Sequence, residues 1–249
     1  MRIAQITDIH IGGARECPHQ IDCRAQFRAT LDAVNLQEPD VIVLTGDLCF
    51  RDPEGEAYSW IASQLSALPC DVIIQAGNHD SQQSMRKYFD IPYHIATDEI
   101  YSLAEWEGHQ VFFLDTARGV MSATQYDWLA EHIATPAPRV IFFMHHPPVY
   151  CGVPHMDVRY AFQQIPEFQQ FVSGIDAEII VYCGHYHVER TLIMPGQTIY
   201  ITPSTFFQIN AWQEEFAIDH HRPGYRMIEL TEDGVSSRCL YTAPVRVSV

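Results

Sequence analysis

The sequence predicts an α/β protein in which a parallel β-sheet is covered by helices and a second sheet packs on it. Three observations predict this. Stretches 3–10, 41–47, 72–80, 140–146 and 179–187 each run through β-branched and apolar residues and then stop at Asp, Asn or His, as buried strands ending at a site do. Between the first three of them lie segments with apolar residues at helical spacing, so the chain opens β-α-β-α-β-α, the order of a parallel sheet. From Arg190 onward, short alternating runs separated by Pro195-Gly196 and Glu232-Asp233-Gly234 read as hairpins of a second sheet.

Taken in order, the first strand runs into a loop over 9–21 rich in Gly, Pro and Cys. Phe27, Leu31 and Val34 mark a first amphipathic helix, which Glu38-Pro39 stops. After the strand that ends at Asp47 comes a polar loop with Arg51, Asp52 and Pro53, then a second helix marked by Tyr58, Ile61, Leu65 and Leu68 and closed by Pro69. The strand ending at Asn78-His79-Asp80 leads into a short helix over 81–89. Stretches 100–104 and 110–115 read as two strands joined through Glu107-Gly108. Ser122-Ala123-Thr124-Gln125 is a capping box for a helix whose apolar stripe is Tyr126, Leu129 and Ile133. The strand ending at His145 meets a Pro-Pro stop, and the irregular stretch 150–165, with His155, Met156 and Tyr160, reads as a lid or substrate loop. Residues 167–173 are weakly helical. No linker, repeat or low-complexity tract interrupts the 249 residues, so one domain over 1–249 is expected.

Composition bounds the partners. A formal net charge of −16, with only 15 Lys and Arg spread along the chain, argues against a long nucleic acid or an anionic membrane. A small anion stays admissible, because bound divalent ions can reverse the sign of a site. The seven cysteines form no Cys-x-x-Cys pair and several sit in apolar runs, which fits reduced thiols in the cytoplasm. No apolar run approaches the roughly 18 residues of a spanning helix, and Met1-Arg2-Ile3 enters a strand without a signal-peptide core.

In an open α/β sheet, ligands bind outside the carboxyl ends of the strands, so the five strand-end motifs are expected to converge. Within an extended segment residues i and i+2 face the same way, so Asp8 and His10 can meet one ion, as can His185 and His187 if that end stays extended. Mixed carboxylate, carboxamide and imidazole donors suit Zn, Fe, Mn or Co better than Ca or Mg. Asp47 follows a glycine and is the natural bridge. Two ions bridged by one carboxylate, about 3.5–4 Å apart, polarise a phosphoryl oxygen and turn a water between them into hydroxide. In-line hydrolysis at phosphorus is the expected reaction. Each motif alone has an ordinary reading: Asp-x-His as coincidence, Gly-Asp as a turn, His145-His146 as one core and one solvent residue. Five together, each after an apolar strand, do not, because burying so many polar groups costs free energy unless something binds them.

These residues resemble the signature of the calcineurin-like metallophosphoesterases: Asp8-x-His10, Gly46-Asp47, Gly77-Asn78-His79-Asp80, His145 and Gly184-His185-x-His187. The resemblance covers nearly the whole chain. It leans towards the bacterial class III cyclic nucleotide phosphodiesterases and related glycerophosphodiesterases through His145-His146-Pro147-Pro148, and towards the former through Thr202-Pro203-Ser204-Thr205 and Pro223-Gly224-Tyr225-Arg226. It implies a four-layer α-β-β-α sandwich of two mixed β-sheets flanked by helices. It also implies a first ion on Asp8, His10, Asp47 and His187, and a second on Asp47, Asn78, His145 and His185. By the same resemblance His79 stands at the phosphate, oriented by Asp80, and His146 stays outside the ligand set. His155 reads as a surface histidine, and Asp115 as a cap or hydrogen-bond acceptor.

The expected substrate is a small phosphodiester, by resemblance a 3′,5′-cyclic nucleotide such as cAMP, with a glycerophosphodiester or a broader phosphodiesterase/phosphatase range as alternative. Related protein phosphatases carry an Arg before Gly-Asn-His and a Gly-Asp-x-x-Asp-Arg-Gly run to clamp a dianionic monoester. Here Gln75-Ala76 precedes Gly77, and Arg51 is the one residue able to change that reading. A non-catalytic scaffold on the same fold would have lost ligands, and none is lost. Whether the chain forms a homodimer is left open.

Overall fold

A computed structural model describes residues 1–133 and 139–245. Along the chain it sets β1 (Arg2–Ile6), α1 (Cys23–Asn35), β2 (Val41–Thr45), α2 (Gly55–Leu65), β3 (Asp71–Gln75) and the short α3 (Gln82–Met85). A two-stranded ribbon follows, β4 (Tyr93–His94) and β5 (Glu99–Ile100), then the hairpin β6 (Ser102–Trp106) and β7 (His109–Leu114). Next come α4 (Ala123–His132), β8 (Arg139–Met144), α5 (Pro154–Arg159), α6 (Ile165–Ser173), β9 (Glu178–Cys183), β10 (Arg190–Met194) and β11 (Gln197–Ile201). The chain closes with the ribbon β12 (Gln208–Ile209) and β13 (Ile218–His220) and the hairpin β14 (Gly224–Thr231) and β15 (Gly234–Tyr241).

The strands form two main sheets, ordered β15-β14-β1-β2-β3 and β10-β11-β9-β8-β7-β6. Both are mixed: β1, β2 and β3 are parallel with β14 antiparallel to β1, and β7, β8, β9 and β11 are parallel with β6 and β10 antiparallel at the edges. Alternation along the strands explains why the sheets stack. Ile3, Val41, Val43, Phe113, Ile141, Phe143, Ile180 and Tyr182 face one way and make a single apolar cluster between the sheets. The alternate residues, among them Ala4, Ile42, Leu44, Phe112 and Phe142, belong to the helix-covered cluster. Phe168 of α6 meets Phe142 at 5.8 Å and Trp128 of α4 meets Phe112 at 5.7 Å, while Tyr225 of β14 donates to the Ala33 carbonyl of α1. Helix, sheet, sheet, helix is the four-layer order expected.

Two sequence expectations change here. The five site strands do not share one sheet: β1, β2 and β3 end on one side and β8 and β9 on the other, so the site lies across the gap between two sheets. The late hairpins also separate, β10–β11 extending the second sheet and β14–β15 returning to the first beside β1. Alternation shows that a strand has a buried face but not which sheet will cover it.

Local signals fared well, with informative departures. Asp22 caps α1 by accepting from Ala25 N, and Ser81 caps α3 by accepting from Ser84 N. The second helix stops at Leu65 in tight turns before Pro69, and the third covers only 82–85 of the expected span. At α4 half of the capping box forms, Ser122 Oγ accepting from Gln125 N. The other half is taken over by Glu99, whose carboxylate accepts from Ser122 N and Oγ, because Gln125 turns inward to pair with the Asp115 backbone. Asp115 is an acceptor as expected, taking Ile100 N, Ala117 N and Gln82 Nε2. The stretch 150–165 is not irregular throughout: it holds α5, and Asp157 pins it by accepting from Cys151 N, Val153 N and the Tyr186 hydroxyl.

At the carboxyl ends of the first-sheet strands the inter-sheet face turns from apolar to polar, Ile3 to Gln5, Val43 to Thr45 and Ile73 to Gln75. Gln5 donates to Thr45 Oγ1 and the Cys183 carbonyl, and Gln75 to the Leu114 and Phe143 carbonyls. Arg226 of β14 adds Thr202 Oγ1 and the Ile201 carbonyl. These buried cross-sheet bonds set the spacing of the two sheets directly beneath the site.

Candidate metal centre

Just past the strand ends the chain bends into left-handed backbone. Asp8, His10, Asp47, His185 and His187 have φ of 53°, 47°, 52°, 67° and 50°, so five of the seven expected ligands occupy a region that side-chain-bearing residues rarely adopt. The extended geometry used to pair Asp8 with His10 is therefore absent, although the two side chains do meet in one cluster. Asp8 N bonds to the Gly46 carbonyl and His10 N to that of Asp47, so the loops after β1 and β2 stay zipped beyond their sheet. Ser204 and Thr205 hydroxyls reach the Asp8 and Thr7 carbonyls and fix this bend from the far side, which accounts for the Pro-Ser-Thr stretch. Gly46 (φ +95°) and Gly77 touch across the gap between β2 and β3: a Cβ on Gly46 would lie 2.6 Å from Gly77 N.

Donor atoms gather in three overlapping groups, each within 4.8 Å: Asp8, His10 and His187; Asp47, His145 and His185; and His10, Asp47 and His79. His185 and His187 thus part company, since their strand end is not extended. Asn78 Oδ1 lies 3.2 Å from His145 Nε2, and Asp47 Oδ2 lies 3.5 Å from His145 Nε2 and 3.8 Å from His10 Nε2. Asp47 therefore stands between the first two groups.

Four imidazoles are held by backbone carbonyls, and a carbonyl can only accept. His10 Nδ1 meets Cys49 O, His187 Nδ1 meets Phe207 O, His145 Nδ1 meets Thr45 O and His185 Nε2 meets Tyr160 O, at 3.2, 3.0, 2.8 and 2.9 Å. Each anchored nitrogen carries the proton, and the other nitrogen is left to the cluster, as in metal-ligating histidines. In neutral rings this puts the lone pairs of His10 Nε2 and His187 Nε2 only 3.1 Å apart. Asp8 completes the picture: Oδ2 accepts from Thr7 Oγ1 and His185 N, while Oδ1, wholly buried, has no hydrogen-bond donor and faces His187 Nε2 at 3.3 Å. So many inward lone pairs fit cations.

The electrostatics agree. Burial pushes His10 down to about 3 and His185 to about 4, keeping both neutral and able to ligate. Burial opposes ionisation of Asp8 and Asp47, yet neighbouring histidines outweigh it, holding Asp8 at about 2 and Asp47 well below the usual carboxylate range. Burial likewise opposes charge on His145, but the Asp47 carboxylate wins and raises it to about 9. Asp47 thus draws positive charge to this spot, a proton or a metal ion.

His79 sits at the edge of the cluster, its side chain 34% exposed and Nε2 4.0 Å from Asp47 Oδ2. The expected orienting partner is different. Asp80 accepts from Leu48 N, Cys49 N, Gly77 N and the Tyr58 hydroxyl, staying with the backbone that carries Asp47, and the Arg51 carbonyl takes His79 Nδ1 at 2.9 Å. Burial and the Asp47 charge raise Asp80 to about 6. His146 is buried against Thr116 and kept neutral by burial, outside all three donor groups. His155, expected at the surface, is buried, bonds to the Glu214 carbonyl and lines the pocket. That pocket, of about 430 Å³, opens over the cluster and is also lined by Phe50, Arg51, Tyr160, Phe206, Phe207 and Phe216. No spacing rule in the sequence marked those aromatic rings.

Acids and imidazoles thus meet at the facing ends of two stacked mixed sheets, in groups that could hold metal ions. The family model described as calcineurin-like phosphoesterase matches residues 1–189, and the chain belongs to that family, which uses a dinuclear metal centre. A Fibrobacter succinogenes relative named "Probable cyclic nucleotide phosphodiesterase" is 34% identical over 242 residues, covering 97% of this chain and 94% of the relative. The Escherichia coli K12 protein named 3′,5′-cyclic adenosine monophosphate phosphodiesterase CpdA is 28% identical over 243 residues, covering 94% and 86%. Among solved structures, a dimetal phosphatase from Danio rerio matches in fold with a TM-score of 0.67 at 13% identity, covering 96% of this chain and 98% of the other.

Proposed function

We propose that this chain is a phosphodiesterase that hydrolyses small diesters, 3′,5′-cyclic nucleotides such as cAMP first among them, at a two-ion centre. Asp8, His10, Asp47 and His187 would hold one ion, and Asp47, Asn78, His145 and His185 the other, with Fe, Mn, Zn or Co as the metals. The observation that carries this reading is the set of four carbonyl-anchored imidazoles whose free nitrogens converge with the donorless Asp8 oxygen. The substrate follows the names of the full-length relatives. Strands from both ends of the chain enter the first sheet, which supports one domain over 1–249. Seven free thiols support the cytoplasm, and no described helix is long and apolar enough to cross a membrane.

When bound, the ions supply Lewis acidity at the phosphoryl oxygens and lower the pKa of water. The protein supplies placement and a proton. Asp47 and Asn78 fix the spacing of the donors, and the cross-sheet amides below hold the two halves of the site at that spacing. With Nδ1–H donating to Arg51 O, His79 presents Nε2 to the pocket; as the imidazolium it can donate Nε2–H to a phosphoryl oxygen or pass that proton to the departing alkoxide, returning to the neutral ring. Among the described residues, Arg51 is the one Lys or Arg in the lining, with its guanidinium 5.0 Å from the Phe50 ring. One guanidinium suits a singly charged diester better than a dianionic monoester.

Two results are expected. With each metal loaded in turn, kcat/KM on a nitrophenyl diester should exceed that on its monoester by at least about tenfold; a monoester preference at every metal would assign a phosphatase, with Arg51 as its clamp. His79→Ala should keep both metal equivalents and lose about 10²- to 10⁴-fold in kcat on a cyclic nucleotide but far less on a nitrophenyl diester, whose leaving group needs no proton. Equal losses would assign His79 to oxyanion stabilisation, and lost metal would make it a ligand.

A further inference from the structure

We propose that the outer half of the pocket is a stacking seat for a nucleobase that does not distinguish one purine from another; this rests on the phosphodiesterase reading above and adds which residues hold the base and how selectively. The seat is a wall of rings that begins at the proposed ligands. Phe206 lies 5.3 Å from His10 and Phe207 5.1 Å from His187, so the wall rises on the Asp8–His10–His187 side of the centre. Phe206 and Phe207 are 4.4 Å apart, Phe50 flanks the first at 5.6 Å, and His19 and Phe216 extend the second at 5.1 and 5.8 Å. Phe216 is 45% exposed at the mouth. Its loop is tied down, Asn210 N bonding to the Ala217 carbonyl and Arg159 and His155 to that of Glu214. A fixed, half-exposed phenyl ring beside a phosphate-binding centre is a surface prepared for a flat apolar group.

The lining also says how the base is read. Among the described residues, its carboxylate and carboxamide side chains are Asp47 and Asn78, both turned to the ion cluster. The other polar side chains of the lining outside that cluster offer no buried pairing group: His19, Arg51 and Tyr160 are exposed, and the buried His155 is bonded to the Glu214 carbonyl. Strong discrimination between analogues needs buried hydrogen-bonding groups that the wrong one leaves unpaired, whereas stacking is open to every base and scales with ring area. The seat therefore accepts adenine and guanine alike, holds pyrimidines less well, and disfavours diesters without a base.

The test uses the metal-loaded full chain with 3′,5′-cAMP, cGMP, cCMP and base-free glycerophosphoethanolamine, together with calorimetric binding of adenosine, which has no phosphate. The wild type is expected to turn over cAMP and cGMP with kcat/KM values within about threefold of each other. Phe216→Ala should lower the ratio of kcat/KM on cAMP to that on the base-free diester by about 5- to 100-fold, mainly through KM, and weaken adenosine binding in parallel. His19→Ala, at an exposed position, provides a second variant expected to move the ratio the same way. An unmoved ratio in both variants overturns the seat, and a preference above about tenfold between cAMP and cGMP overturns its tolerance. If no diester is turned over at any metal, the phosphodiesterase reading fails separately and adenosine decides: binding weakened by Phe216→Ala keeps the seat, and no binding to the wild type removes it.

Discussion

Asp47→Asn is expected to release both ions and lower kcat/KM by at least about 10³-fold, since even outer-shell partners of a bound metal are worth about 10- to 100-fold. The geometry makes the asymmetry sharp. Asp47 Oδ1 accepts from His79 N, so an Asn side chain would keep its oxygen there and turn its NH₂ group towards the Nε2 atoms of His145 and His10. A pair of donors would then occupy the place of shared positive charge. Metal-free wild type keeps an ion pair between the Asp47 carboxylate and protonated His145, which the amide cannot replace, so the metal-free variant should also melt lower than metal-free wild type near neutral pH. Metal quantification and thermal melts with and without chelator read the two effects apart. Two retained equivalents with full activity would remove Asp47 from the bridge.

Gly77→Ala is expected to be nearly as damaging for a different reason. A Cβ there would collide with the backbone nitrogen and carboxylate of Asp47 and lie 2.8 Å from His145 Cε1. None of these atoms can yield without moving a proposed ligand. A cost of about 2–4 kcal/mol in urea unfolding is expected, together with weakened metal binding. Gly234→Ala is the control: its Cβ would meet nothing within 4 Å, and its backbone is not left-handed. That substitution should be neutral, or stabilising by about 0.4–1 kcal/mol through the unfolded chain. Equal effects at the two positions would show that packing around Gly77 is loose.

Much of this centre could be read directly from the chain, because a strand followed by Gly and a polar ligand is a local pattern. Asp47, Asn78, His145, His185 and His187 lie at strand ends as such patterns suggest, although the spacing of His185 and His187 did not show that they join different donor groups. The partner of each ring was not readable. Which carbonyl anchors His10 or His185, and that Arg51 rather than Asp80 meets His79, depends on loops folding back across two sheets. Sheet membership escaped for a similar reason, since β14 alternates like β10 yet pairs with β1. The aromatic wall was silent because Phe206, Phe207 and Phe216 lie in stretches without periodicity. No spacing pattern bears on His155, so its burial in the pocket wall is visible only once the loop after β8 has folded over the site.

The left-handed bends concentrate backbone strain at the centre. Each of the five costs about 1 kcal/mol relative to Gly, the residue that adopts such backbone freely. Gly at positions 8, 10, 47, 185 and 187 would adopt these bends without that cost, so the fold by itself does not call for Asp or His there. The strain is concentrated on the side chains whose donor atoms converge, so the same five bends that cost stability are the ones that aim the cluster.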